Sequence, residues 1–195
     1  MGEVSFVDKK TLHGMWNYFL MLESDLDNTS RYIEPQGHEN VYSFEFAKLL
    51  ILACTEVESV FKAICFEIEK KQVSGDIGTY KATILGKYPK IINTTVKVKR
   101  LGRNIEPFNG WDTGRLSWWS AYNEVKHNRG SSFSDATYIN ATTAIAALYV
   151  LILYLAELTG IQFNGHESKY LDSDYVMGGI LFGPFKKLPD FEVSK

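Results

Sequence analysis

The sequence predicts an all-α fold, an up-and-down helical bundle of about five helices. Three observations predict it. Apolar residues recur at three- and four-residue steps through two long segments. A third segment is almost wholly apolar, and strand-like alternation is confined to one short stretch near residues 94–100. With 195 residues and 45% hydrophobic content, the chain can bury one sizeable core. One domain is therefore expected over residues 1–195, with a core of residues 10–160 and a tail of residues 161–195.

In the first segment, residues 8–33, Leu12, Met15, Trp16, Phe19, Leu20, Leu22 and Leu26 share a helical face, and Asp8 is available as a cap. Pro35 and Gly37 then interrupt the pattern. Residues 43–71 carry the clearest period, with Phe46, Leu50, Ala53, Val57, Val60, Phe61, Ile64, Cys65 and Ile68 on one face. Ser43 is followed by Phe46 where a capping box would have Glu, so this scaffold helix should be capped by Ser43 alone.

Residues 72–113 are richer in glycine and proline, with one short helix expected near Tyr80–Lys87. Val96 and Val98 alternate with Lys97 and Lys99, the pattern of a short strand or extended arm. Lys97, Lys99, Arg100 and Arg103 cluster there, either as a solvated basic loop or as a ligand-binding patch.

A helix over residues 115–128 is expected to begin near Asp112 or Ser117 and to stop at Gly130. The last helix should run from Ser134 to Thr159, ahead of Gly160, and a loop of about five residues would make the two an antiparallel hairpin. Its apolar run, Ala144–Ala156, has 13 residues. A bilayer-spanning helix needs about 20, so a buried core helix and no membrane association are expected. Beyond residue 160, Tyr170, Leu171, Tyr175, Leu181, Phe182, Phe185 and Phe191 lie among glycines and prolines. They suit a tail laid over the bundle or onto a partner.

Composition narrows the function. A net charge of −2 argues against a generally basic surface, so any nucleic-acid contact has to come from a local patch. Gly86-Lys87 lacks the other residues of a phosphate-binding loop. The four histidines, His13, His38, His127 and His166, are scattered, so neither a metal site nor a cofactor is expected. Cys54 and Cys65 fall in one helix, about 16 Å apart, and are expected to be reduced core residues. The start, MGEVSFVDKK, has no basic stretch followed by an apolar one, which leads to the expectation of a cytoplasmic protein.

The helix around Tyr122 carries the chemistry. Asn123 and His127 lie one turn apart on one strip, with Arg115, Trp119, Tyr122 and Lys126 on the adjacent strip, all within about 140° of helix surface. His127 beside Lys126 and Arg129 has the makings of a general acid or base for RNA phosphodiester cleavage, the cations stabilising charge on the phosphate. The same residues have a structural explanation. Trp118, Trp119 and Tyr122 at helical spacing suit a core, and cations near a helix C-terminus favour its dipole.

The segments LESDLDNTSRYIEP, YSFEFAKLLILACTEVE and WWSAYNEVKHNR, with the helix carrying TEVESVFK and the long apolar helix, resemble the HEPN family. These are helical domains named for higher eukaryote and prokaryote nucleotide binding, and the likeness covers residues 10–160, closest to an uncharacterised bacterial branch. The resemblance implies a homodimer and metal-independent endoribonuclease activity on RNA. It also implies a toxin–antitoxin or defence setting, with an antitoxin or defence-system protein as partner. The family's signature is an Arg, usually followed by a polar residue such as Asn, and then a His. His127 and Asn123 match it, and Tyr122 stands where the Arg belongs. The resemblance therefore implies His127 as acid or base, Asn123 orienting it or the phosphate, and Lys126, Arg129, Tyr122 and Arg115 at the RNA. The alternative is a non-catalytic dimerisation or interaction module in which Trp118, Trp119, Tyr122 and the aromatic tail form the interface.

Overall fold

A computed structural model describes residues 7–161, 168–169, 171–172 and 188–191, with the backbone alone for Arg129 and Asp172. The chain is predominantly helical. Its elements are α1 (Lys9–Thr29), α2 (Phe44–Glu69), α3 (Ile77–Lys87), β1 (Val96–Val98), β2 (Arg103–Ile105), α4 (Ser117–His127), α5 (Arg129–Ser132), α6 (Tyr138–Thr159) and β3 (Leu171–Asp172).

The caps foreseen for the first two helices are in place. Asp8 accepts from Thr11 N at 2.7 Å and Ser43 from Phe46 N at 3.1 Å, each satisfying an amide the helix leaves unpaired. α2 buries the apolar face read from its period, including both cysteines, which are free thiols. α6 is buried almost all round from Tyr138 to Ala156 because α1, α2 and α4 all pack against it. By length and composition it could cross a membrane; in this fold 83% of that window is buried inside the protein.

Helix directions follow from end contacts. Tyr138 N donates to Val41 O at 2.9 Å, and the Phe46 and Tyr138 rings meet at 5.5 Å, so α2 and α6 start side by side and run parallel. Val7 N, just ahead of α1, donates to Glu67 Oε1 near the end of α2 at 3.3 Å, which sets α1 antiparallel to both. On α4, Trp119 packs on Phe61 at 6.1 Å, while Phe133, beyond its C-terminus, packs on Phe44 at 4.6 Å. α4 is therefore antiparallel to α2 as well. α1, α2, α4 and α6 alternate in direction along the chain, with the parallel α2–α6 pair as the central contact.

The alternating stretch is a strand. Val96 and Val98 are buried and Lys97 is exposed, and β1 lies in the middle of an antiparallel sheet of order β2-β1-β3. β2 and β3 had no signature of their own. β3 brings the tail back, Leu171 opposite Val98, where it is fully buried. The basic loop is pinned at two points: Arg100 bonds Asp27 at 2.8 Å and Arg103 reaches Glu39 at 3.6 Å.

Two helix boundaries differ from the sequence expectation. α4 begins at Ser117, one of the two starts expected, but ends at His127 rather than at Gly130, which lies inside α5; Arg115 precedes the helix. α6 begins at Tyr138, with Thr137 accepting from Asn140 N at 3.2 Å, while Ser134 sits in a 3-10 turn over Phe133–Asp135. Several polar residues compete as caps there, and tertiary contacts with the loop before α2 select Thr137. Gly160 ends α6 with φ of 66°, the left-handed conformation that glycine adopts without strain.

Of the tail aromatics, Tyr170, Tyr175, Phe182 and Phe185 lie outside the described residues, as does Leu181. Phe191 packs on Tyr88 at 5.2 Å and Tyr154 at 5.7 Å, and Leu188 is buried, so these parts of the tail lie over the bundle.

Candidate functional site

α4 is amphipathic, and its buried face decides which candidate residues can meet a ligand. Trp118, Trp119, Ala121, Tyr122 and Val125 point inward, at the steps that make one helical stripe. Trp118 Nε1 donates to Pro107 O at 2.8 Å, and the ring meets Trp119 edge-on at 5.7 Å. The aromatic set continues through Phe108, Trp111 and Phe61. Trp118, Trp119 and Tyr122, assigned to an interface in the interaction-module alternative, are therefore part of this chain's own core. The competing structural reading of those rings is the one the packing bears out.

Tyr122 is only 3% exposed, and its ring lies against Trp119 at 5.2 Å. Its hydroxyl reaches the surface end of the stripe, where it accepts from Lys126 Nζ at 3.1 Å. The ammonium also lies 5.2 Å from the Tyr122 ring centroid. The hydrogen bond to Tyr122 is the main reason the Lys126 pKa is raised, with Glu58 on α2 adding attraction. The residue in the signature's Arg position is thus a core residue that fixes a lysine one turn later.

His127 and Asn123 occupy the neighbouring strip. His127 is exposed and Asn123 half-buried, one turn apart. Immediately beyond, the chain turns. Asn128 Nδ2 donates to Glu124 Oε2 at 2.9 Å, Ser132 Oγ reaches the same oxygen at 3.4 Å, and Ser131 N and Ser132 N donate to Asn128 O at 2.9 and 3.0 Å. This corner starts α5 with the Arg129 backbone, directly after the His127 strip. The Arg129 side chain lies outside the described residues. Arg115 is exposed ahead of the first turn of α4, at the end away from His127. The structure therefore gathers Asn123, Lys126 and His127 at one helix end, anchored by Tyr122, and leaves Arg115 apart.

Sequence reasoning missed the apolar surface next to that corner. Phe133 packs on Phe44 at 4.6 Å with the rings tilted and meets Tyr42 edge-on at 5.6 Å, with Phe44 76% and Tyr42 51% exposed. A signal existed: Phe44 lies two residues before Phe46, about 200° from the buried face of α2. Compared with family models, curated proteins and solved structures, the chain has no match in any of the three.

Proposed function

We propose that this chain is a HEPN-like RNA-binding protein that cleaves RNA without metal at His127, in a bacterial defence or toxin–antitoxin setting. The observation that carries the reading is the placement of exposed His127 and half-exposed Asn123 on one strip, with the Lys126 ammonium one residue away and held by Tyr122. His127 takes the proton of a ribose 2′-OH, and the 2′-oxygen attacks the adjacent phosphorus. The bond to the 5′-oxygen breaks, and a second imidazole protonates the departing oxygen. A homodimer supplies that second His127, each copy contributing one strip. Lys126, with Arg129 from the start of α5, stabilises the phosphorane oxygens in place of the arginine that Tyr122 replaces. Asn123 orients the imidazole or a phosphate oxygen.

The test is cleavage of a mixed RNA pool in EDTA by wild-type protein and His127→Ala. Products ending in 2′,3′-cyclic phosphate and 5′-hydroxyl, lost in the variant, would support the nuclease. No cleavage by intact dimers would remove it.

A second reading, a non-catalytic dimerisation module, draws on different rings from those first considered. Tyr42, Phe44 and Phe133 form an aromatic surface of the kind that interfaces bury. Phe44→Ser would then convert a dimer into monomers in sedimentation velocity, with RNA cleavage absent from both forms.

A further inference from the structure

The loop between α1 and α2 forms an open hollow of about 400 Å³, at the end of the bundle where α2 and α6 start and α4 ends. That volume lies in the range of small-ligand sites. Among the described residues that line it, Gly37, His38, Asn40, Val41 and Tyr42, none is an acid, a lysine or an arginine.

The hollow is built from local bonds that need no ligand. Gly37 turns the loop with φ of 79°, a left-handed conformation that suits glycine. Val41 O and Glu39 O then accept from Tyr138 N and Ile139 N at 2.9 and 3.0 Å, satisfying two amides that α6 leaves unpaired at its start. His38 Nδ1 lies 3.0 Å from Glu34 O. A carbonyl only accepts, so Nδ1 carries the hydrogen and, in the neutral ring, Nε2 is an acceptor.

These groups are open to a ligand. His38 and Asn40 are exposed, and Tyr42 is 51% exposed. The lining therefore combines an aromatic ring, an amide that both donates and accepts, and an imidazole acceptor. Stacking and edge hydrogen bonds from such groups are how proteins read unpaired nucleobases.

Charge is kept to one side. Tyr42 meets Phe133 edge-on at 5.6 Å, and Ser132 N, just before Phe133, donates to Asn128 O, just after His127, at 3.0 Å. The hollow thus lies one short turn of chain from the strip carrying Asn123, Lys126 and His127. A neutral stacking site beside a cation matches the division of a nucleotide into base and phosphate. As a protein interface the same surface is small. Fully covered, the Tyr42 and Phe44 rings would bury about 300–500 Å², short of the ~800 Å² per partner of a stable complex.

We propose that an unpaired base of an RNA strand enters this hollow, stacking on Tyr42 with its polar edge met by Asn40 and His38, while a neighbouring phosphate lies at Lys126 and His127. This placement rests on the RNA reading of the His127 strip and adds a requirement to it. The substrate must be single-stranded there, since a base within a duplex has both faces covered by its neighbours.

The probes for the full chain are an oligoadenylate with 2′-O-methyl riboses, which cannot be cut through the 2′-oxygen, the same sugar–phosphate strand without bases, and a duplex of the methylated RNA. By fluorescence anisotropy the single strand should bind about tenfold more tightly than the baseless strand, the order expected of one stacked base. It should also bind more tightly than the duplex, and it alone should shift the amide signals of residues 37–42. Tyr42→Ser should make the two single strands equal. Asn40→Ala, on an exposed side chain, should shrink the difference with the melting temperature unchanged. Cleavage of unmodified RNA by a protein that shows no such preference, or an undiminished preference in Tyr42→Ser, would overturn the base site and leave the nuclease standing. Conversion of dimers to monomers by Tyr42→Ser would assign the ring to a second copy and overturn it too. Binding of none of the probes, with no cleavage of unmodified RNA, would overturn both readings.

Discussion

Lys126 Nζ lies 3.1 Å from Tyr122 Oη, so a residue buried in the core positions a cation at the surface. Tyr122→Phe should leave the fold intact and the melting temperature within a few degrees. Without the hydroxyl, the ammonium loses the main interaction that raises its pKa. The Lys126 value should move down, as followed by NMR titration of the labelled side chain. If RNA is the ligand, its affinity should fall several-fold with it.

The reverse substitution makes a sharper prediction. Tyr122→Arg would restore the family's signature in sequence and place a guanidinium where the present side chain is 3% exposed. Burying that charge without a partner should cost about 3 kcal/mol or more, lowering the melting point by roughly 6–12 °C. A variant that melts normally and cleaves RNA faster than wild type would show that the helix end can turn this position outward.

Stability should decline on the alkaline side. Burial raises Cys65 from 9.0 to about 11 and both Tyr88 and Tyr138 from 10.0 to about 12. Folded-state values above the unfolded ones mean that unfolding releases protons in that range, so stability falls as pH rises. It is fully present below pH 9 and is lost as pH climbs through 11 and 12. Urea midpoints at pH 7, 9, 10 and 11 should be level at first and then drop. By the same burial, neither cysteine should react with a thiol reagent at pH 7.5 until denaturant is added.

Asp190 ties the tail to the bundle, accepting from Tyr154 Oη and from Lys90 N, each at 2.9 Å. Asp190→Ala should cost about 2 kcal/mol, since both bonds go to a charged acceptor. Limited proteolysis should then cut the tail sooner than the helices. An unchanged cleavage pattern would mean that the Phe191 and Leu188 contacts hold the segment without the carboxylate.

The helix ends allow a simpler check. Gly160→Ala imposes a side chain on a left-handed residue and Thr137→Ala removes a cap, and each should cost about 1 kcal/mol. Equilibrium denaturation should show the two losses adding, because they sit at opposite ends of α6.

Local signals explain what was legible in the sequence. Asp8, Ser43 and Gly160 act on their own helices, and the period from Phe46 to Ile68 reports the inward face of α2 itself. Val96 and Val98 announced a strand because alternation is intrinsic to it. β3 was invisible because Leu171 becomes a strand only by meeting Val98, far away in the chain. The α4–α6 junction misled for a related reason. Gly130 looks like a helix end, yet the backbone leaves the helical conformation at Asn128 and α4 ends earlier. At the candidate site, the pattern of residues placed Asn123 and His127 on a common strip. Helical spacing also suited Tyr122 to the core, but it could not show that Lys126 folds back onto the Tyr122 hydroxyl.

Buried Glu23 on α1 accepts from Lys169 N at 3.1 Å and Leu171 N at 2.9 Å, and also from the Ser168 hydroxyl. All three donors are made some 145 residues later than their acceptor. During synthesis the helices can assemble once α6 has left the ribosome, but this carboxylate then lacks those amides and β1 lacks one neighbour. Final closure of the fold has to wait for residues 168–171 to emerge. The interval is a window in which an unpaired strand edge and a buried acid coexist, and in which a nascent chain would be most open to a chaperone or to another copy of itself.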